Sequence, residues 1–456
     1  MNTEKTIFPP RPPIGAPGDW HFPTPTRSYL DNGLEVVSYH LPGQHVIAAH
    51  LVLDIPLSAE NRDLEGVATI CARTLDEGSL RHGGEEYAEL LENEGAGFGI
   101  DVSLSGLQAI LDVPASRLEA ALALFAEAVV EPALADDDVN RHVQLRLAEI
   151  EQAQANSAQQ ASIAFRSTIF DPESRTSRMN GGEPETVAKI TGAAVRRFHL
   201  EHFGPVGTKL IMAGDLPADP LALAERYLGS WALPDQQTPQ HLTAQPAPRQ
   251  VKIIHRPGAV QADIRFGGFG IDRNDERWAP ISVASYAMGG AFLSRLNAVL
   301  REEKGYTYGV GLNFSPMRTG GSFAVQGSFR TDVVADAIEE ARQLLDITGR
   351  PFTPQEVDDA ITFFTGVSPL RFATADGVAD QAATQFLAAL PEDYIDRSLA
   401  AQRAVTSESA SAAYASLVRP DELSLVVVGD ADQITEPLRA AGFTDLVVET
   451  PDGSRG

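Results

Sequence analysis

Thr208-Lys-Leu-Ile-Met-Ala-Gly214-Asp215 returns as Leu423-Ser-Leu-Val-Val-Val-Gly429-Asp430, 215 positions later in a chain of 456 residues. Each is a short apolar run closed by a Gly-Asp turn, the pattern of a strand buried on both faces. Other landmarks repeat at similar distances. Pro132, between two helical patterns, is answered by Pro351, and each precedes an acid-rich helix start. Glu94-Gly95 through Gly99-Ile100-Asp101 is answered by Lys304-Gly305 through Gly309-Val310-Gly311, 210 positions on. Loop insertions absorb the small differences in offset, so the chain reads as an internal duplication.

The first copy shows the unit. After the Asn32-Gly33 turn, Leu34–Tyr39 and Ile47–Leu57 read as strands, and Glu65–Glu77 as a helix ended by Gly78. A short helix at Tyr87–Glu94 closed by Gly95 precedes strands at Gly99–Ser105 and Leu107–Val113. Ser116 and Glu119 have capping-box spacing, and Leu118, Leu122, Phe125 and Val129 give the next helix one apolar face. Asp136–Asp138 suit the start of a long helix presenting Val139, Val143, Leu147 and Ile150. Trp231 to Gln250, rich in Pro and Gln, carries no periodicity. The expected organisation is a Pro-rich extended tail at 1–26, an α+β domain at 27–230, a linker at 231–250 and a homologous α+β domain at 251–456. Each domain is a mixed, mostly antiparallel sheet packed against helices.

Composition narrows the function. Hydrophobic residues at 43% and charged residues at 21% are those of a globular protein, and a net charge of −26 repels nucleic-acid phosphates and anionic membranes. The lone Cys71 sits in an apolar stretch as a buried thiol, and no apolar run is long enough to span a bilayer. The N-terminal 20 residues show no signal-peptide pattern, so the expected location is cytoplasmic.

The duplication, Asn32-Gly33-Leu34, and Phe292-Leu-Ser-Arg-Leu-Asn-Ala-Val-Leu-Arg301-Glu-Glu-Lys-Gly305-Tyr-Thr-Tyr308-Gly-Val310 together resemble the insulinase/pitrilysin family, in its processing-peptidase-like branch, from about Arg27 to Val448. Active members carry H-x-x-E-H on the helix after the second strand, plus a distant Glu. Two His one turn apart and the Glu hold Zn²⁺, and the motif Glu activates its water. Here the resemblance puts Thr69 and Arg73 at the His positions, Ala72 at the general base and Glu149 at the distant Glu. The scaffold is kept without its metal site, and Arg73 beside Glu149 offers an ion pair in its place. Arg301 and Tyr308, seven apart, match the Arg/Tyr pair that in active members binds substrate and the oxyanion. The local pattern sets Leu293, Leu296 and Leu300 on a helix face, Gly305 at its C-cap and Tyr308 on the following strand.

Two other His patterns do not read as zinc sites. His82-Gly-Gly-Glu85-Glu86 has glycines that disfavour the required helix and Glu86 where the second His belongs, and His199 and His202 lack a third ligand. The resemblance implies a non-catalytic, substrate-binding subunit with no cofactor of its own. It pairs with an H-x-x-E-H subunit that carries Zn²⁺, supplies Arg301 and Tyr308, and takes unfolded peptide as an added strand on a sheet edge. The alternatives are a catalytically dead homodimeric structural or peptide-binding protein, and an independent zinc peptidase with unrecognised ligands. The charge of −26 leaves open either a chamber biased toward basic peptides or a uniformly acidic solvated surface.

Overall fold

A computed structural model describes residues 20–236, 238–241 and 243–450, so the first 19 residues of the expected tail lie outside it. The first sheet has the order β1-β2-β6-β3-β5-β4, with β1 Thr26–Tyr29, β2 Glu35–His40, β3 Val46–Leu53, β4 Gly97–Ser103, β5 Gly106–Pro114 and β6 Thr208–Gly214. The second has the order β12-β7-β11-β8-β10-β9, with β7 Val251–His255, β8 Gln261–Gly270, β9 Val310–Pro316, β10 Gly321–Arg330, β11 Ser424–Gly429 and β12 Leu446–Glu449. The repeated runs are β6 and β11, each central in its sheet. Each lies parallel to one neighbour and antiparallel to the other. The fold is therefore α+β with two like halves, each a mixed and mostly antiparallel sheet.

One face of the first sheet packs on α1 Val67–Arg73, α2 Gly84–Asn93, α3 Leu118–Val130 and α4 Asp136–Ala155. Leu118, Leu122, Phe125 and Val129 on α3, and Val139, Val143 and Ile150 on α4, are buried there as their spacing demands. Burying each large aliphatic or aromatic side chain contributes about 1.5–3 kcal/mol.

The opposite faces are covered by exchange. Helix α5, Ser157–Ile169, belongs to the first half but packs Ala161, Phe165 and Ile169 on Ile254, Val426 and Val428 of the second sheet. Helix Ala375–Leu387 of the second half packs Val378, Ala379 and Ala383 on Val37, Ala48, Val52 and Ile211 of the first. Both sheets are thus covered on both faces, which is why the central β6 and β11 are mostly apolar. Arg256 fastens the exchange: its Nη1 donates to the carbonyl of Ala155 at 2.6 Å and its Nη2 to that of Gln154, closing the C-terminal end of α4. The segment 231–250 has no helix or longer strand among its described residues. Its Trp231 and Ala244 are buried, and Pro246 bridges Phe170.

Three local expectations are corrected. The helix expected over Glu65–Glu77 is only Val67–Arg73, because Thr74 Oγ1 bonds back to the Ile70 carbonyl and the following residues form turns. Ser116 forms no capping box: residues Ala115–Arg117 wind as a 3₁₀ turn running directly into α3. The second strand ends at Leu53 rather than Leu57, since Pro56 opens a separate 3₁₀ turn.

Candidate functional site

Helix α1 is held from its N-terminus. Gly66 caps it at φ +103°, and a Cβ there would lie 2.7 Å from the Gly181 carbonyl oxygen, so the position requires glycine. Glu60 Oε1 accepts from the Gly66 and Ala68 amides at 2.9 and 3.0 Å, supplying the negative charge a helix N-terminus favours. Its Oε2 accepts from Arg175 Nη2 at 3.0 Å, both side chains being buried. Glu65 receives Arg178 through Nε and Nη2, each at 2.7 Å.

On this helix Thr69 and Ala72 are buried and Arg73 reaches out to α4. Arg73 Nη1 lies 2.8 Å from Glu149 Oε1, and Arg146 Nη1 lies 3.3 Å from Glu149 Oε2. Desolvation opposes ionisation of Glu149, but the hydrogen bonds and charges of Arg73 and Arg146 outweigh it and hold the carboxyl below its ordinary value. These residues do not fit a zinc ion. Zn²⁺ requires three or four N, S or O donors, whereas of the three ligand positions Thr69 offers only a buried hydroxyl, Arg73 brings a fixed positive charge and Glu149 alone is a carboxylate; Ala72 leaves no general base.

Arg73 lines a cavity of about 690 Å³. Its walls are α1, the segment 179–181, α5 and β4, with Arg265 of β8 reaching in from the second half. Strand β4 is the edge of its sheet, bonded only to β5, so its outer backbone groups are unpaired. The cavity is lined by Arg73, Arg146, Arg166 and Arg265 against one carboxylate, Asp101. Inside a protein of charge −26 this is a locally cationic cleft. The sign of its charge is opposite to the chain's average. Burial, helped by the nearby Arg175, holds the Arg166 guanidinium below the ordinary arginine value. Burial does the same for Arg265 against the opposing pull of Asp263.

Arg301 and Tyr308 lie outside the residues lining this cavity. Arg301 is on a helix that starts at Arg295 and is wound as a π-helix over Ala298–Glu303. Its guanidinium stacks 3.7 Å from the centroid of Phe292 and pairs with Glu302, Nε donating to Oε1 at 2.7 Å and Nη2 lying 2.5 Å from the same oxygen. Gly305 closes the helix at φ +64°, as its composition predicts. Tyr308 is not on the following strand. It stands in the loop before β9, 97% exposed, because β9 begins only at Val310. Leu293 precedes the helix and is exposed, while Leu296 and Leu300 are buried.

The other histidines serve packing. His199 is buried with Nε2 2.8 Å from the Val129 carbonyl and its ring stacked on Phe203; His82 sits in a turn with Nδ1 2.9 Å from Glu127 Oε2. Cys71 is buried, which pushes its thiol pKa up. His255, Asp430 and Asp432 come close together, but His255 Nδ1 accepts from the Ala431 amide and both carboxylate oxygens of Asp430 accept hydrogen bonds at the start of the last helix, so two of the three are already committed. Sequence reasoning missed Arg146, Arg166 and Arg265. The alternation Ala262-Asp263-Ile264-Arg265-Phe266 held a signal, since charges on the second face of a core strand imply that something polar covers it.

Residues 35–176 match the family described as "Insulinase (Peptidase family M16)" and residues 189–363 that described as "Peptidase M16 inactive domain". The chain is 23% identical over 342 residues to "Non-peptidase homolog YmxG" of Helicobacter pylori, covering 74% of this chain and 78% of that protein. It is also 23% identical over 361 residues to an "Uncharacterized zinc protease" of Streptomyces coelicolor, covering 77% and 78%. The crystal structure of a peptidase M16 inactive domain from Pseudomonas fluorescens superposes with TM-score 0.82 at 23% identity, covering 89% of this chain and 98% of that one. A protease structure from Helicobacter pylori superposes with TM-score 0.82 at 15% identity, covering 90% and 100%.

Proposed function

Because the chain belongs to peptidase family M16 as a non-catalytic member, we propose that it is the substrate-binding subunit of a two-chain zinc peptidase whose partner carries H-x-x-E-H and Zn²⁺. The observation carrying this reading is the Arg73–Glu149 ion pair at the place of the metal, set beside the intact edge strand β4 and its open cleft. Extended peptide adds to β4 by main-chain hydrogen bonds, and the partner's zinc performs the hydrolysis. Arg301 and Tyr308 are supplied to the partner: Tyr308 projects into solvent and is free to meet another surface.

The test is co-expression with an H-x-x-E-H subunit, confirmation of the complex by size, and assay of a fluorogenic peptide. Tyr308→Phe in this chain should lower kcat by about 10²–10³, the usual loss for one oxyanion donor. Arg301→Ala should raise KM as well, since a cation holding the substrate backbone acts in ground and transition states alike. Unchanged kinetics in both variants would leave the homodimeric structural reading, and robust cleavage by this chain alone would refute both.

A further inference from the structure

The cleft beside β4 carries more cationic hydrogen-bonding capacity than the fold consumes. Arg265 spends its donors inside the protein: Nη1 on the Ile264 carbonyl at 2.7 Å, Nη2 on the Ala158 carbonyl at 2.8 Å, and Nε and Nη2 on Ser162 Oγ. Arg73 and Arg146 share the carboxylate of Glu149. Arg166 is different. It uses only Nη1, which donates to Asn180 Oδ1 at 2.7 Å and to the Arg178 carbonyl at 3.2 Å. Among the described residues no carboxylate lies within ion-pair distance of Arg166 or Arg265, and Arg166 Nε and Nη2 have no protein partner. Neither of these atoms is among the buried unsatisfied ones, so that edge of the guanidinium is reachable from the cavity it lines. The Nε–Nη2 edge of an arginine presents two parallel N–H groups spaced for the two oxygens of a carboxylate.

We propose that the β4 cleft selects extended peptides carrying an acidic side chain, whose carboxylate seats on the Nε–Nη2 edge of Arg166 with Arg265, which has no carboxylate partner, adding positive charge beside it. This rests on the reading that β4 receives a peptide strand and names the chemistry of that peptide. Strand addition fixes the depth of the peptide backbone beside Ile100 and Val102, and the arginines on α4, α5 and β8 then read a side chain pointing into the cavity. Among the described residues Asp101, exposed on the same strand, is the one carboxylate lining the cavity, and it works against the ligand.

Binding is measured by fluorescence anisotropy on the full chain. The probes are peptides of equal length, capped by acetyl and amide and carrying a central Glu, Gln or Lys; a fourth has no acidic side chain but a free C-terminal carboxylate. The Glu peptide is expected to bind at least 10-fold tighter than the Gln peptide, with the Lys peptide weakest, and the preference should shrink as salt is raised. Arg166→Gln should abolish the Glu preference. Asp101→Asn, an exposed substitution on an edge strand, should strengthen Glu-peptide binding by about 3-fold through loss of a like charge. It also keeps the test sound if Arg166→Gln misfolds. Equal binding of Glu and Gln peptides, or no gain in Asp101→Asn, overturns the acidic selectivity while leaving β4 as a peptide site. Preference for the free C-terminal carboxylate overturns the side-chain assignment. Absence of binding by every peptide overturns the β4 peptide site as well.

Discussion

Arg73 and Glu149 are joined at 2.8 Å across the gap between α1 and α4, with 36% and 42% of their side chains exposed. An ion pair this wet is screened by solvent and gains little. Glu149→Ala should therefore destabilise the protein by under about 1 kcal/mol in urea unfolding. A loss of 3 kcal/mol or more would mean that the pair is a structural clamp.

Thr69, Ala72 and Arg73 stand on an already ordered helix, facing a retained carboxylate. The purified chain should contain no stoichiometric zinc by elemental analysis. The combined substitution Thr69→His, Ala72→Glu and Arg73→His should bring the content to about one zinc per chain, because it restores two nitrogen donors one turn apart opposite Glu149. Wild-type protein that keeps one zinc per chain after dialysis against a mild chelator contradicts this account of the site.

The buried Glu60–Arg175 pair sits behind α1 and holds its N-terminus. Removing one partner strands a charge in the interior, at a typical cost of about 3–5 kcal/mol. Arg175→Met should show such a loss. The double variant Glu60→Gln with Arg175→Met should recover part of it, and equal losses in the single and double variants would disprove the coupling.

His50, fully buried on β3, has Nδ1 2.8 Å from Gln108 Nε2 and an unpartnered Nε2, with Asp376 of the second half 3.6 Å away. Burial lowers its pKa from 6.5 to about 4, against the weaker pull of Asp376. Below pH 6.5 the unfolded chain binds a proton that the folded chain refuses. The neutral imidazole's contribution is thus intact above pH 6.5 and is lost as pH falls toward 4. The loss attributable to His50 is on the order of 3 kcal/mol. Urea midpoints at pH 7, 5 and 4 should converge for wild type and His50→Gln as acid is added. Parallel curves would show that His50 does not titrate in this window.

The strands, their duplication and the Arg73–Glu149 pairing were legible because each rests on local pattern or fixed spacing. Tyr308 was misplaced by a few residues because a π-wound helix and a Gly-rich loop break the 3.6-residue count on which Leu293, Leu296 and Leu300 were aligned. The cationic cleft was hidden for a different reason: Arg146, Arg166 and Arg265 come from two helices and a strand of the other half, and only the tertiary fold brings them together. Their collective charge is opposite to the chain's average, so composition gave no sign of it.

The swapped helices also set a clock for biosynthesis. The last strand of the first sheet, β6, ends at Gly214, but the helix that covers the sheet's second face is not complete until Leu387. At about 5–20 residues per second, a ribosome takes on the order of 10–35 s to synthesise that interval. Throughout it Val37, Ala48, Val52 and Ile211 have no intramolecular cover. The nascent first half is thus a natural client for chaperones that shield apolar sheet surface, and completion of its core waits on the C-terminal third of the chain.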